Sequence, residues 1–323
     1  MRTLSLMGLL TLTLMTACGQ TTPPTSPTPN PGPEKKYRPS TSPDVYLFGI
    51  SGKCFKQNDN ILPFTCLNLL PAQMESQDAI VEKQNTKNNW DYLSAVLPNQ
   101  TESTLQNLAD TIAAQGYTVG YDGVAGSWPD RANTSSGSYA EYYGVKTLLK
   151  ALTIIYNQDI KGVENPSKVV LVSHSHGVVW SHVIQWALPQ LPIEVAVDFD
   201  GVCRYWGTDN AADITGDGNP YQIPVSSLCG EQITGGGTAN DIQNVVFDNV
   251  KWNLEIQADN TPVCGGLATL AGVYDGHDNW RYSGGTSGLY ALRPCDNHMT
   301  VIHPNRSGMK FVRDTLKIIF PKR

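Results

Sequence analysis

Lys168-Val169-Val170-Leu171-Val172-Ser173-His174-Ser175-His176-Gly177-Val178-Val179-Trp180 is the stretch whose reading decides the fold. Its first half is a short run of β-branched and aliphatic residues, the composition of a fully buried strand. The run breaks into Ser-His-Ser-His-Gly, and an apolar helical pattern follows through Val183, Ile184 and Trp186. Strand, tight turn and helix are therefore predicted, with Ser175 at the apex. A turn this sharp requires small residues two before and two after its apex, and Ser173 and Gly177 stand at those positions.

A nucleophile elbow has this form. Its common pattern is G-x-S-x-G, and Ser173 here replaces the first Gly with the next smallest practical residue. The elbow lifts the Ser hydroxyl clear of the sheet edge and points the His176 amide, at the start of the following helix, toward the attack site. A helix N-terminus offers N–H groups and a partial positive charge to a developing oxyanion. The plainer reading is a strand-to-helix turn that merely contains two serines, and the rest of the chain decides between them.

Working outward, Asp44 to Gly52 reads as a strand ending in a Gly-rich turn, followed by a polar, cysteine-bracketed loop. Thr104 to Gln115 carries Leu105, Leu108 and Ile112 at helical spacing, with Gly116 at the C-cap. Tyr117 to Asp122 is the next strand, and Tyr139 to Tyr156 a long helix with Leu148, Leu149, Leu152 and Ile155 on its apolar face. The elbow helix ends near Pro189. Ile193 to Phe199, Val250 to Ala258 and Gly288 to Leu292 follow as strands, and Gly308 to Phe320 closes the chain as an amphipathic helix. Strands alternating with helices predict an α/β fold, a mostly parallel sheet covered on both faces. Active sites of such sheets lie at the carboxyl ends of the strands, where Ser175 stands.

The N-terminus sets the compartment. Met1-Arg2 is positively charged, and Leu4 to Met15 is apolar but too short to span a bilayer. Met15-Thr16-Ala17-Cys18-Gly19 places small residues ahead of a single Cys and resembles a bacterial lipobox, with Met15 where Leu is usual. The resemblance implies a signal peptide over residues 1–17 and a lipidated Cys18. It also implies an extracytoplasmic protein of the bacterial cell envelope, anchored by lipid at the outer membrane or cell surface. An ordinary signal peptide with a chance Cys is the plainer alternative. Residues 18–43, rich in Pro, Thr and Ser, form an extended tether; residues 44–323 form the folded domain.

Setting Cys18 aside leaves six of the seven cysteines, an even count that reads as disulfides in an exported chain. Six cysteines allow fifteen pairings; sequence proximity favours Cys54–Cys66, Cys203–Cys229 and Cys264–Cys295. No C-x-x-C occurs, which argues against a cysteine metal site. The formal charge of -6 and the absence of a basic stripe exclude a nucleic-acid partner. Residues 201–237 form a Gly/Asp/Pro-rich insertion with the position of a lid or cap. Within it, Asp213, Thr215 and Asp217 faintly resemble the first half of a calcium loop, but Pro224 stands where the bidentate Glu belongs. A tight solvated loop is the plainer reading, and no other cofactor or metal is expected.

A Ser hydroxyl needs a base to take its proton, and the base needs an acceptor to fix its tautomer. Asp259 follows a late strand and His298 the last one, giving with Ser175 the order Ser…Asp…His of α/β-hydrolases. The region from Asp44 to Phe320 resembles that superfamily, and particularly small secreted bacterial lipases and esterases. Phe48-Gly49-Ile50-Ser51-Gly52 resembles the family's His-Gly-x-x-Gly oxyanion turn, with Phe48 for His; the match implies the Ile50 amide as a second oxyanion donor beside that of His176. Leu108-Ala109-Asp110 through Gly116-Tyr117-Thr118-Val119, the elbow itself, and Ala258-Asp259-Asn260-Thr261-Pro262-Val263 as acid loop carry the rest. The resemblance implies a serine hydrolase that cleaves carboxylic esters through an acyl-enzyme, with an ester or lipid-like substrate. Asp259 is the first choice of acid, because a Cys264–Cys295 bridge would tie its loop to that of His298. Asp200 is the runner-up, and Asp275 and Asp278 are also in reach. For the base, His303 competes with His298 but stands beside Pro304 and later in the chain. Two rivals remain. One is a zinc hydrolase using His174 and His176 with His182 nearby, although Val178-Val179 stands where that motif wants Asp-His. The other is a catalytically inactive, surface-anchored binding protein on a hydrolase scaffold, with Trp128, Trp206 and Trp280 as binding residues.

Overall fold

A strand that is apolar on both of its faces is stable only where helices cover both. The computed structural model meets this with a six-stranded sheet. It describes residues 35–52, 91–94, 96–97, 100–126, 144–203, 206–207, 228–229, 233–235, 238–259, 262–264 and 278–323. In chain order the elements are β1 (Val45–Ile50), α1 (Thr104–Ala113), β2 (Val119–Val124), α2 (Val145–Ile155), β3 (Lys168–His174), α3 (His176–Ala187) and β4 (Ile193–Phe199). They continue with β5 (Ile233–Gly235), β6 (Thr238–Asn240), β7 (Val245–Val246), β8 (Val250–Ile256), β9 (Trp280–Arg281), β10 (Leu289–Leu292) and α4 (Ser307–Ile319). The sheet runs β10-β8-β4-β3-β1-β2, with every neighbouring pair parallel. β5 pairs with β6 and β7 with β9 in two small separate ladders.

Alternation along β3 divides the core between the two faces. Val169 and Leu171 pack with Leu148, Leu149 and Leu152 of α2 and Val179, Trp180 and Val183 of α3. Val170 and Val172 face the other way, with Leu105 and Leu108 of α1 and Met309, Val312 and Leu316 of α4. All four β3 residues are fully buried. β1, β3 and β4 form the centre of the sheet, so the turns that follow them converge at one edge.

Most expected elements lie within two residues of their predicted bounds. α1 has Ser103 as N-cap, whose hydroxyl accepts from the Gln106 amide at 3.1 Å; its C-cap is Ala114 rather than the expected Gly116, which stands two residues on at φ 89°. The helix expected from Tyr139 is seen from Val145, after an extended Gly144, and residues 127–143 are outside the described set. Cys203–Cys229 and Cys264–Cys295 form as expected, with Cα atoms 5.3 and 4.9 Å apart. Cys54–Cys66, Cys18, the signal peptide, residues 18–34 of the tether, the calcium-like Asp213, Thr215 and Asp217, and most of the 201–237 insertion lie outside the described residues. Among the described residues no helix is long and apolar enough to cross a membrane.

Burial sets the expected cost of truncation. Leu108→Ala, at a position with 0% exposure, should destabilise by about 2–5 kcal/mol in chemical denaturation. Ile154→Ala, at a position 54% exposed on α2, should change stability by no more than about 0.5 kcal/mol.

Candidate active site

Ser175 lies between β3 and α3 at φ 57° and ψ -128°. A non-glycine residue adopts this left-handed geometry only where its surroundings force it, at a cost of about 1–3 kcal/mol. The surroundings here are specific. The Ser175 amide donates to Phe199 O at 3.0 Å, and Ser175 O accepts from the amides of Val178 and Val202 at 3.1 and 3.2 Å. A Cβ on Gly177 would lie 2.0 Å from the Ile50 carbonyl oxygen, so only Gly allows β1 and α3 to approach this closely. Gly52 likewise backs onto Ser175, since a Cβ there would lie 2.5 Å from Ser175 Cβ.

Asp200 is the other non-glycine residue with positive φ (46°) among the described residues, directly after β4. Its carboxylate is held at both oxygens. Oδ1 accepts from the Ala258 amide at 2.9 Å, and Oδ2 accepts from His298 Nδ1 at 2.5 Å. Asp200 is 2% exposed. His298 comes from the loop between β10 and α4, and its ring lies 4.5 Å from that of His174, the residue before Ser175. A strained Ser after β3, an Asp after β4 and its partner His after β10 thus meet at the carboxyl edge of a doubly covered parallel sheet. The chain has the α/β-hydrolase fold.

The structure pairs His298 with Asp200 rather than with Asp259. The exposed Asp259 instead places Oδ2 3.2 Å from Cys264 Sγ, which is committed to the disulfide with Cys295 and has no proton to share. The bridge does join the 259 loop to the His298 loop, as expected, but what that loop delivers to Asp200 is the amide of Ala258. Ile50, expected as an oxyanion donor, ends β1 in register with Ser173 and Val124. The amides of Val45 and Ser51 donate to the β2 side, at Thr118 O and Val124 O, so strand alternation turns the Ile50 amide toward β3. His176 opens α3 beside Ser175, as the sequence suggested.

Beneath the elbow lies a second Ser-Asp-His grouping that the sequence did not reveal. Ser173 Oγ donates to Asp198 Oδ1 at 2.9 Å, which gives the departure from Gly a physical use. Asp198 Oδ2 accepts from His182 Nε2 (3.0 Å), Asn253 Nδ2 (2.5 Å) and Asn279 Nδ2 (3.1 Å). His182 Nδ1 lies 2.6 Å from Ile242 O, a carbonyl that can only accept, so both ring nitrogens donate. Burial alone would lower the His182 pKa, but the Asp198 charge and these bonds raise it. Ser173 and His182 are 0% exposed and Asp198 1%, against 9% for Ser175. The grouping is sealed in the core and braces β3, β4, β8 and α3; no substrate reaches it.

The segment 91–94 clamps the turn after β1 and carries no pattern that the sequence could have offered. Ser51 Oγ donates to Asp91 Oδ1 at 3.1 Å, and the Gly52 amide donates to Tyr92 Oη at 2.7 Å. Burial pushes the Asp91 carboxyl up to about 6, partly offset by the hydrogen bonds it accepts from Ser94 and Ser51.

The remaining expected residues are placed elsewhere. His303 is half-buried with Nδ1 3.3 Å from Gln100 Nε2, and Asp278 pairs with Arg293 at 2.6 Å on the surface. Asp275 and Trp128 lie outside the described residues. Trp206, expected as an exposed binding residue, is fully buried, 4.7 Å from Trp180; Trp280 is half-buried in β9. His174 and His182 use both ring nitrogens on separate partners and do not face a common ion. Among the described residues, the grouped metal-type donors are Asp259, Cys264 and Cys295, and the disulfide removes the two thiolates.

No family model matches the chain, and no curated protein matches it. Among solved structures, it is similar to one of the metagenome-derived lipolytic enzymes LipS and LipT, with a TM-score of 0.36 and 13% identity over 88% of this chain and 99% of the other. It is also similar to Est1E from Butyrivibrio proteoclasticus with ferulic acid bound, with a TM-score of 0.35 and 11% identity over 87% and 90%. A hormone-sensitive lipase from a metagenome library gives a TM-score of 0.37 and 10% identity over 88% and 81%. At these values the functional reading rests on the chain's own geometry.

Asp91 makes a pH test of the turn. Its folded-state pKa of about 6 exceeds the ordinary 3.8, so the native state holds the proton more tightly than the unfolded chain. The associated stability is full below about pH 4 and is lost as pH rises through about 6. Asp91→Asn keeps an acceptor at Oδ1 and cannot ionise. Its Tm relative to wild type should climb between about pH 4 and about pH 7, by calorimetry in matched buffers; a flat difference would mean that Asp91 does not titrate in this range.

Proposed function

We propose that this protein is a serine hydrolase that cleaves carboxylic esters through an acyl-enzyme. Ser175 attacks the ester carbonyl, and His298 takes its proton and returns it to the leaving alcohol. Asp200 orients the His298 ring through Nδ1 and stabilises the imidazolium. The buried 2.5 Å contact between Asp200 Oδ2 and His298 Nδ1, at the same sheet edge as the strained Ser175, carries this reading. The His176 amide at the start of α3 is the oxyanion donor this geometry supports, with the positive end of the helix dipole behind it. A merely structural turn would place Gly where Ser175 is held at φ 57°, and retaining Ser there argues for use rather than for an inert scaffold. Water then attacks the acyl-enzyme with His298 as base. We place the activity outside the cytoplasm, on a domain tethered through a lipidated Cys18, on the strength of the N-terminal sequence.

Kinetics on short- and long-chain esters test the assignment. Ser175→Ala or His298→Ala should lower kcat by about 10⁴–10⁶-fold, and Asp200→Asn by about 10⁴-fold, with the fold retained by circular dichroism. Asp259→Ala should leave kcat close to wild type. Loss of turnover in Asp259→Ala with activity kept in Asp200→Asn would reverse the choice of acid.

A further inference from the structure

His174 is fully buried between the nucleophile and the base, and the mechanism above gives it no part. Its Nε2 lies 2.7 Å from the main-chain oxygen of His298. A carbonyl can only accept, so Nε2 carries the ring proton. Nδ1 of the neutral ring is then an acceptor, and it meets the hydroxyl of Tyr92. The oxygen of Tyr92 in turn accepts from the Gly52 amide at 2.7 Å. The directions agree at every joint: Gly52 N–H to Tyr92 O, Tyr92 O–H to His174 Nδ1, His174 Nε2–H to His298 O. Burial supports the same protonation pattern, since it holds the His174 pKa well below its ordinary value and pushes the Tyr92 hydroxyl up.

We infer that His174 and Tyr92 are positioning residues that set the distance between nucleophile and base. His174 is covalently joined to Ser175, so its bond to His298 O fixes the main chain of the base relative to the residue that base must deprotonate. Asp200 fixes the His298 ring through Nδ1, and the two anchors together leave the imidazole little freedom. Tyr92 locks the His174 tautomer and, through Gly52, ties the same line to the turn that backs onto Ser175. The inference rests on the serine-hydrolase reading and adds two residues to it, one of them in a loop without any sequence pattern. Neither touches the substrate; both act through His298 and the turn after β1.

The test is a kcat-against-KM comparison on an activated ester with purified full-length protein. Wild type against Ser175→Ala comes first: no Ser175-dependent turnover would overturn the hydrolase reading and this inference with it. With that dependence established, Tyr92→Phe, which keeps the ring and removes one hydroxyl, should lower kcat by about 10-fold, and His174→Phe by about 100-fold, with KM little changed, the scale that misplaced catalytic groups produce. His174→Gln, which restores one donor and one acceptor, should recover most of the loss seen in His174→Phe. Wild-type kcat in Tyr92→Phe, or equal losses in His174→Gln and His174→Phe, would overturn the positioning role and leave the hydrolase reading intact.

Discussion

The constraint on which the rest depends is the approach of α3 to the end of β1. Gly177 packs against the Ile50 carbonyl at a distance that no side chain allows, and the turn that brings it there passes through Ser175 at positive φ. Three main-chain bonds from Ser175 to Phe199, Val178 and Val202 hold that conformation and tie the elbow to β4. The turn at Asp200 inherits the geometry: Asp200 follows the strand that receives the Ser175 amide, and its own amide bonds to Ile256 at 2.7 Å. Ser175 and Asp200 are therefore fixed by the central ladder, and His298, from the loop after the edge strand β10, is held by its contacts with Asp200 and His174.

Polar groups buried under this edge stiffen it at an energetic cost that burial alone would not justify. Asp198 accepts from four side chains, and His182 donates from both nitrogens. Removing one member of such a set leaves the others buried without compensation, which is costly even where the intact set contributes little net stability. The network joins β3, β4, β8 and α3 immediately below Ser175, so its rigidity is delivered where that residue is held. Tyr92 and His174 extend the same principle upward, to the loop that carries His298.

Much of this was legible in the sequence because the signals were periodic. The Val/Leu run of β3 and the 3.6-residue spacing of Leu105, Leu108 and Ile112 each follow from a local requirement that tertiary packing did not override. The carboxylate partner of His298 was not legible in the same way. Asp200 and Asp259 both stand near the ends of strands, and the Cys264–Cys295 bridge that favoured Asp259 does draw its loop inward, but the side chain at 259 points away while the amide at 258 points in. Asp200-Gly201, a turn dipeptide directly after a strand, was the available clue. Ile50 could not be settled from residues because strand alternation, set by pairing, decides which neighbour an amide faces. Tyr92 carried no pattern at all, and Trp206 is indistinguishable in sequence from a surface tryptophan.

The most direct measurement is covalent: the purified protein treated with a fluorophosphonate, digested, and the modified peptide located by mass spectrometry. The account predicts a single stoichiometric adduct on Ser175, lost in His298→Ala. A folded protein that takes no label, or takes it on a different serine with Ser175 unmodified, would contradict it.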